Sequence, residues 1–277
     1  MEKRKLMAIV AHPDDESLGL GGTLAKYAAE GVEVSVLMAT KGERGRFGTA
    51  AKSPGLDIVG KTRADELLKA CAVLGVKHVR FLGYIDGDLD QAPAESIIEE
   101  IALHIRDLQP QIVLSFGPEG AYGHPDHIAI SQFTTAAIMK AADAQFDLLG
   151  SQAHRVLKLY NVLWSKPIWD VYQAAFKELS TVVDGEKRLA FPYPEWMITT
   201  RLNTEAYWET AWAAVQCHQT QMAIYQNLDQ LTPAQHKILW GRQEFYRVFS
   251  LVNGGRRKEQ DLFEGIEAKV PKPMNYD

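Results

Sequence analysis

The sequence is short of cysteine, of long apolar runs and of excess basic charge, and each shortage excludes a class of protein. Two cysteines among 277 residues cannot form a disulfide framework or a cysteine-rich zinc site. No apolar stretch reaches the roughly 20 residues of a membrane-spanning helix, and the N-terminal apolar run is too short for a secretory signal. The net charge of −5 gives no electrostatic case for nucleic-acid binding. We expect a cytoplasmic protein without a membrane span or a nucleic-acid partner.

The first half of the chain alternates short apolar runs with helical patterns, which is typical of an α/β fold. The predicted strands are Leu6–Ala11, Val32–Met38, His78–Leu82, Gln111–Phe116 and Arg155–Trp164. Helical patterns lie between them, at about 17–30, 61–74, 94–108 and 125–142. We predict a Rossmann-like, doubly wound, mainly parallel sheet with helices on both faces. Right-handed crossovers then place the loops after the first and fourth strands at the same edge of the sheet.

Aromatic residues become frequent in the second half of the chain. We predict an α/β metal-binding core at residues 1–163 and an aromatic-rich C-terminal region at residues 164–277, packed on the same domain. Aromatic side chains there suit a substrate wall or lid, an oligomer interface or an ordinary core. The apolar pattern from Ala206 to Leu228 predicts one long helix that carries His218.

Two short motifs carry most of the chemistry, and each follows a predicted strand. Residues 11–16 read Ala-His-Pro-Asp-Asp-Glu, and residues 124–127 read His-Pro-Asp-His. His12 and Asp15 are three residues apart, so both can face one metal ion, and their side chains are suitable zinc ligands. A third ligand from the second motif would complete a His₂Asp set and leave one position open for water, as in catalytic zinc sites. Either motif alone could be only a capped helix start; the pair favours a metal site.

The sequence allows three other interpretations. Gly19, Gly21 and Gly22 follow the first strand, but their spacing fits the dinucleotide-binding fingerprint poorly because Leu24 stands where its third glycine should be. Two histidines and one carboxylate also form the facial triad of non-haem iron oxygenases. A sugar-binding module with a structural metal is the third interpretation, although binding alone does not require the additional acid and base groups.

The motifs resemble those of the zinc-dependent N-acetylglucosaminyl deacetylases, the LmbE-like or PIG-L family, which includes the deacetylases of mycothiol and bacillithiol synthesis. The resemblance extends to the Thr-Lys-Gly-Glu-Arg-Gly loop at 40–45, to the Arg-Ala-Asp-Glu-Leu helix at 63–67 and to His-Gln-Thr-Gln at 218–221. One departure is Ala211, where members often carry a lysine.

The resemblance implies a role for each matching residue. The implied zinc ligands are His12, Asp15 and His127. The implied catalytic residues are Asp14, His124, Asp126 and Tyr122. The implied substrate contacts are Arg63, Glu43 and His218. In this scheme Asp14 is the general base, His124 is an electrostatic or acid partner that Asp126 orients, and Tyr122 assists the substrate carbonyl.

The activity implied by the resemblance is the removal of an acetyl group from an N-acetylated amino sugar or its conjugate by water activated at zinc. Ferrous iron fits the same ligands. We expect a small amino-sugar conjugate as the substrate, and the aromatic C-terminal half is compatible with a homo-oligomer. Two alternatives stay open from the sequence: a non-haem iron enzyme with the same ligands, and an amidase that acts on a related thiol–sugar conjugate.

Overall fold

A seven-stranded sheet forms the centre of the molecule in the computed structural model, which describes residues 3–147, 149–176, 180–225, 227–254 and 257–266. The strand order is β3-β2-β1-β4-β5-β9-β8. The strands of this sheet are β1 (Lys5–Val10), β2 (Glu33–Thr40), β3 (His78–Tyr84), β4 (Ile112–Ser115), β5 (Lys158–Leu163), β8 (Thr200–Asn203) and β9 (Arg242–Ser250). A separate antiparallel hairpin consists of β6 (Ser180–Val183) and β7 (Glu186–Leu189).

The strands from β1 to β5 pair in parallel, whereas β9 and β8 are antiparallel to their neighbours. From Leu6 to Val10 every side chain of β1 is buried, which explains why this strand is continuously apolar: helices cover both of its faces. The five strands predicted from the sequence are present. The prediction of a mainly parallel α/β sheet is therefore confirmed.

Helices surround the sheet. They are α1 (Asp15–Leu18), α2 (Gly21–Ala29), α3 (Leu56–Leu74), α4 (Ala94–Leu108), α5 (Gly120–Gly123), α6 (Pro125–Ala142), α7 (Lys166–Phe176), α8 (Trp208–Gln216), α9 (Met222–Tyr225) and α10 (Pro233–Trp240). Helices α4 and α6 pack together on one side, and α2, α3 and α8 pack together on the other. This arrangement follows from right-handed crossovers that run outward from β1 in both directions. Among the described residues, no helix has the length and apolarity needed to cross a bilayer.

Helix α4 shows how the sequence encodes these elements. It buries Ile97, Ile101 and Ile105 at a spacing of four residues, so that one apolar stripe faces the sheet. Pro93 precedes its first residue, and Gln109 ends it in a left-handed conformation with φ of 53°.

The long helix predicted from Ala206 to Leu228 is wrong. Helix α8 ends at Gln216, the chain turns, and among the described residues from there to 225 only the four of α9 return to α-helix. The turn contains His218 and Thr220, whose side chains bond to Glu16 and Glu66 in the core. These buried polar contacts replace the helical hydrogen bonds that an isolated segment would have formed.

A buried carboxylate attaches the C-terminal segment to the sheet. Glu259 accepts hydrogen bonds from Lys158 Nζ at 2.8 Å, Tyr160 Oη at 2.7 Å and Thr200 Oγ1 at 2.8 Å. Arg247 Nη1 lies 2.8 Å from the same carboxylate. We call these five residues the distal cluster. They unite β5, β8 and β9 with the segment that contains Glu259.

Candidate metal centre

The two histidine motifs meet because their strands are neighbours. Strands β1 and β4 pair in parallel, so the loops that follow them lie at the same edge of the sheet. His12 follows β1, and His127 lies in the first turn of α6. The structure brings His12 Nδ1 to within 3.1 Å of His127 Nε2.

Asp15 completes a set of three donor atoms. Its Oδ1 lies 3.4 Å from His127 Nε2, and its Oδ2 lies 3.8 Å from His12 Nδ1. Tetrahedral zinc with bonds of about 2.0–2.1 Å places its ligand atoms about 3.4 Å apart. The 3.1 Å between the two ring nitrogens and the 3.4 Å from Asp15 Oδ1 to His127 Nε2 are close to this spacing, so one ion fits between His12, Asp15 and His127, and the 3.8 Å distance from His12 runs to the other Asp15 oxygen. His124 also offers an atom within 4.8 Å of His12 and His127.

Burial and close charges shift the pKa of each residue in this cluster. Burial raises the pKa of Asp15 to about 7, although His12 opposes this rise. Burial disfavours the charged form of His12, but the carboxylates of Asp126 and Asp86 outweigh it and raise the pKa of His12 to about 10. Burial and the neighbouring His12 hold the pKa of His127 well below its ordinary value, so this ring is neutral, as a metal ligand must be.

The second nitrogen of His12 faces two carboxylates. His12 Nε2 lies 3.0 Å from Asp126 Oδ2 and 3.1 Å from Asp86 Oδ1. These carboxylates hold a proton on Nε2, so a bound metal ion would need to replace only the proton on Nδ1, on the side that faces His127 and Asp15. Asp126 is itself held by the backbone N–H groups of residues 87 and 89. The predicted partner of Asp126 was His124, and the structure places its carboxylate on His12 instead.

Asp14 lies beside the donor atoms with an unusual backbone. Its φ of 122° lies in a region that non-glycine residues rarely adopt. Asp14 Oδ2 accepts a hydrogen bond from Arg63 Nη2 at 2.9 Å and one from the Tyr225 hydroxyl at 2.6 Å. Burial raises the pKa of Asp14 above its ordinary value, and the charge of Arg63 opposes that rise.

His124 caps the helix that carries His127. Its Nδ1 accepts the backbone N–H of Asp126 at 3.2 Å, so in the neutral ring Nε2 carries the proton. Burial and the neighbouring His12 lower the pKa of His124 to about 4. His124 is therefore neutral at pH 7, and its Nε2–H is available as a hydrogen-bond donor. The Tyr122 ring lies 5.8 Å from the His124 ring and 5.3 Å from the His127 ring, between centroids.

One cavity of about 290 Å³ joins these groups. Its polar side contains the three donor residues together with Asp14, Asp86 and His124. Its apolar side is formed by Leu18, Phe116, Trp164, Tyr172 and Ile224. The volume is at the lower end of the range for small-molecule pockets. The cavity therefore suits a compact group with one polar and one apolar face.

The three predicted substrate contacts lie in different places. Arg63 reaches the cavity, but its guanidinium also donates to the Gly42 carbonyl oxygen at 2.9 Å. Glu43 and His218 are buried behind the cavity wall. Glu43 accepts the backbone N–H of Asp86, and His218 Nε2 lies 2.8 Å from Glu16 Oε1. In this structure His218 supports the loop that carries Asp14 and Asp15.

Two titratable residues of the cavity, Asp86 and Tyr225, were not predicted from the sequence. Asp86 follows β3 at the same edge of the sheet, so a carboxylate just beyond a predicted strand was a usable signal. Tyr225 had no such signal, because it lay inside a segment predicted to be one continuous helix.

The chain is similar to proteins of a known family. The PIG-L family model, described as GlcNAc-PI de-N-acetylase, matches residues 7–138. A 1D-myo-inositol 2-acetamido-2-deoxy-alpha-D-glucopyranoside deacetylase from Thermobifida fusca is 33% identical over 250 residues, which cover 81% of this chain and 85% of the relative. The resemblance inferred from the motifs is thereby confirmed.

Solved structures share the fold at lower identity. The N,N'-diacetylchitobiose deacetylase from Pyrococcus horikoshii has a TM-score of 0.67 and 18% identity, covering 89% of this chain and 84% of its own. The 4-carboxy-2-hydroxymuconate hydratase from Pseudomonas putida has a TM-score of 0.65 and 19% identity, covering 91% and 99%. The fold is thus shared by proteins named for different reactions, whereas the sequence match to the relative from Thermobifida fusca extends along most of both chains. On that match, the protein belongs to the PIG-L, or GlcNAc-PI de-N-acetylase, family.

Proposed function

We propose that this protein is a metal-dependent N-deacetylase of an amino-sugar conjugate. The observation that carries the proposal is the convergence of His12 Nδ1, His127 Nε2 and Asp15 Oδ1 beside the carboxylate of Asp14 in one cavity. Metal-assisted hydrolysis needs a ligand set with an open position and a base next to it. The deacetylase named in the match from Thermobifida fusca supports the same reaction class.

We propose His12, Asp15 and His127 as the ligands and zinc as the metal, with ferrous iron as the alternative that the same donor set accepts. When bound, such an ion lowers the pKa of a water molecule and polarises the acetyl carbonyl. The hydrogen bond of His12 to Asp126 and Asp86 keeps its lone pair on the metal side.

Asp14 is proposed as the general base. Its carboxylate lines the cavity next to the ligand Asp15 and is held by Arg63 and Tyr225. Amide hydrolysis requires a proton to leave the attacking water and a proton to reach the departing amine. Asp14 can take the first proton and return it to the nitrogen, which regenerates the carboxylate.

His124 is proposed as a hydrogen-bond donor to the oxygen that becomes negative during attack. Its Nδ1 is occupied by the cap of α6, so Nε2–H is the group available for donation. A neutral imidazole is a poor source of a transferable proton, which favours Asp14 as the donor to the leaving amine. Tyr122, which lines the same cavity, is proposed as a second donor to that oxygen.

The proposed substrate carries an N-acetylglucosamine unit, because the named relatives act on acetylated glucosamine conjugates. Trp164 and Tyr172 form an apolar wall whose ring centroids are 4.9 Å apart, and such a wall can pack against the apolar face of a sugar ring.

The test is primary-amine release from a panel of N-acetylglucosamine conjugates that includes the inositol conjugate and diacetylchitobiose. We expect release by zinc-loaded enzyme that chelation abolishes and added metal restores. Turnover that depends on oxygen would support the iron-oxygenase alternative. Turnover of a thiol–sugar amide without deacetylation would support the amidase alternative. Absence of turnover with the metal bound would contradict the proposed function.

A further inference from the structure

Tyr225 is a buried residue that contacts Asp14 but has no chemical role of its own in the scheme above. It is the last residue of α9, and its hydroxyl donates to Asp14 Oδ2 at 2.6 Å. Arg63 Nη2 donates to the same oxygen at 2.9 Å. Both donors use Oδ2, so Oδ1 is the carboxylate oxygen that receives no hydrogen bond from either of them.

The backbone of Asp14 needs external support. A φ of 122° at a non-glycine residue is a costly conformation that persists only where surrounding contacts enforce it. Arg63 also donates to the Pro13 carbonyl oxygen, and Glu16 Oε2 accepts the backbone N–H of Asp14 at 3.0 Å. Both the carbonyl oxygen and the N–H of the peptide between Pro13 and Asp14 are therefore held by contacts. Tyr225 adds a contact to the Asp14 side chain.

The segment that carries Tyr225 is itself attached at several points. Thr220 donates its backbone N–H and its hydroxyl to Glu66, each at 2.7 Å. Gln221 Nε2 donates to the Arg46 carbonyl oxygen at 2.7 Å, and Gly48 donates its N–H to the Thr220 carbonyl oxygen at 2.8 Å. These attachments fix the position from which the Tyr225 hydroxyl reaches Asp14.

We propose that Tyr225 is a positioning residue which, together with Arg63, holds Asp14 Oδ2 and so directs Oδ1 toward the reacting water. The inference rests on the proposed function, in which Asp14 is the base. A base works only when its accepting oxygen is aimed at the proton, and small errors of placement cost large factors in rate.

The experiment compares Tyr225→Phe with a matched control, Tyr160→Phe. Both tyrosines are buried and both donate to a carboxylate, at 2.6 and 2.7 Å, but the partner of Tyr160 is Glu259 in the distal cluster. For Tyr225→Phe we expect kcat to fall about tenfold or more, with KM changed less than about twofold and with the metal content of wild type. For Tyr160→Phe we expect wild-type kcat per folded molecule.

A double-mutant cycle with Asp14→Asn tests whether Tyr225 acts through Asp14. We expect Tyr225→Phe to change the residual rate of Asp14→Asn by less than about twofold, because the group that it positions has been removed. An undiminished kcat in Tyr225→Phe, an equal loss in both backgrounds, or a loss explained by missing metal would overturn the inference.

Crystal structures of wild type and Tyr225→Phe give a readout that does not depend on turnover. We expect the Asp14 carboxylate to change its orientation in the variant, and an unchanged carboxylate would overturn the inference. Wild-type enzyme that releases no amine would contradict the proposed function, while this structural comparison would still decide the role of Tyr225.

Discussion

The metal edge, where His12, Asp14, Asp15 and His127 lie, and the distal cluster both bury carboxylates, but the two regions balance that negative charge differently. At the distal cluster, Glu259 is surrounded by donors that include two cations, Lys158 and Arg247, and its pKa falls to about 2 against the cost of burial. At the metal edge, burial dominates and the pKa of Asp15 rises to about 7. The carboxylate of the distal cluster is balanced by its own cations and serves the fold, whereas at the metal edge the charge of His12 does not offset the burial of Asp15, which favours binding of a metal ion.

The largest expected effect comes from removing a proposed metal ligand at the metal edge. His12→Ala and His127→Ala should each lose the metal and lower turnover by about a thousandfold or more, because each removes one of the three proposed ligands. Metal content after dialysis, measured by mass spectrometry, checks this outcome. The control is His236→Ala, since His236 is also buried but its Nε2 bonds to the Leu228 carbonyl oxygen. Full metal occupancy in both ligand variants would show that the ligand set is wrong.

The next effect separates metal binding from proton transfer. Asp14→Asn should keep the metal, because Asp14 is outside the three-ligand set, and should lower kcat by about a hundredfold to ten-thousandfold. Steady-state kinetics with parallel metal analysis measure both quantities. Wild-type turnover in this variant with the metal intact would remove Asp14 from the mechanism.

Much of the metal edge could be predicted from the sequence, because the signals for it are short motifs that follow predicted strands. His12 closely follows one apolar run, and His127 lies in the first turn of the helix that follows another. Parallel pairing of these two strands brings their loops together. The contacts of Tyr225 with Asp14 and of His218 with Glu16 could not be predicted, because they join residues more than 200 positions apart. The same long-range contacts end the helix at Gln216. The boundary between residues 163 and 164 stays a prediction, although β8 and β9 from the C-terminal side join the central sheet.

A third prediction perturbs the distal cluster alone. Lys158→Met should lower the free energy of unfolding by about 3–5 kcal/mol, because it leaves the buried Glu259 with one cation fewer. Turnover per folded molecule should not change. Urea unfolding measures the loss, and Lys140→Met is the control, since its pair with Glu99 is partly exposed and contributes at most about 1 kcal/mol. Loss of bound metal in Lys158→Met would contradict the expectation that the distal cluster affects stability without affecting the metal edge.

The smallest expected effect is a pH dependence of stability from Glu259. Its pKa is lowered from 4.5 to about 2 in the folded protein, so its stabilisation is complete above about pH 4.5 and is lost as pH falls toward 2. The loss should be no more than about 3 kcal/mol. Glu259→Gln should flatten the unfolding free energy over that interval, compared with Asp170→Asn at an exposed pair. If the free energy of unfolding changed with pH identically in Glu259→Gln and Asp170→Asn, this pH dependence could not be assigned to Glu259.

The most direct test of the central claim is a zinc titration of the metal-free enzyme, with bound metal and amine release followed in the same samples. The substrate is the inositol conjugate of N-acetylglucosamine. If His12, Asp15 and His127 hold one catalytic ion, amine release should rise in proportion to bound zinc and reach its maximum at one equivalent per chain. Full activity before metal is added, or none after one equivalent is bound, would contradict a metal-dependent deacetylase.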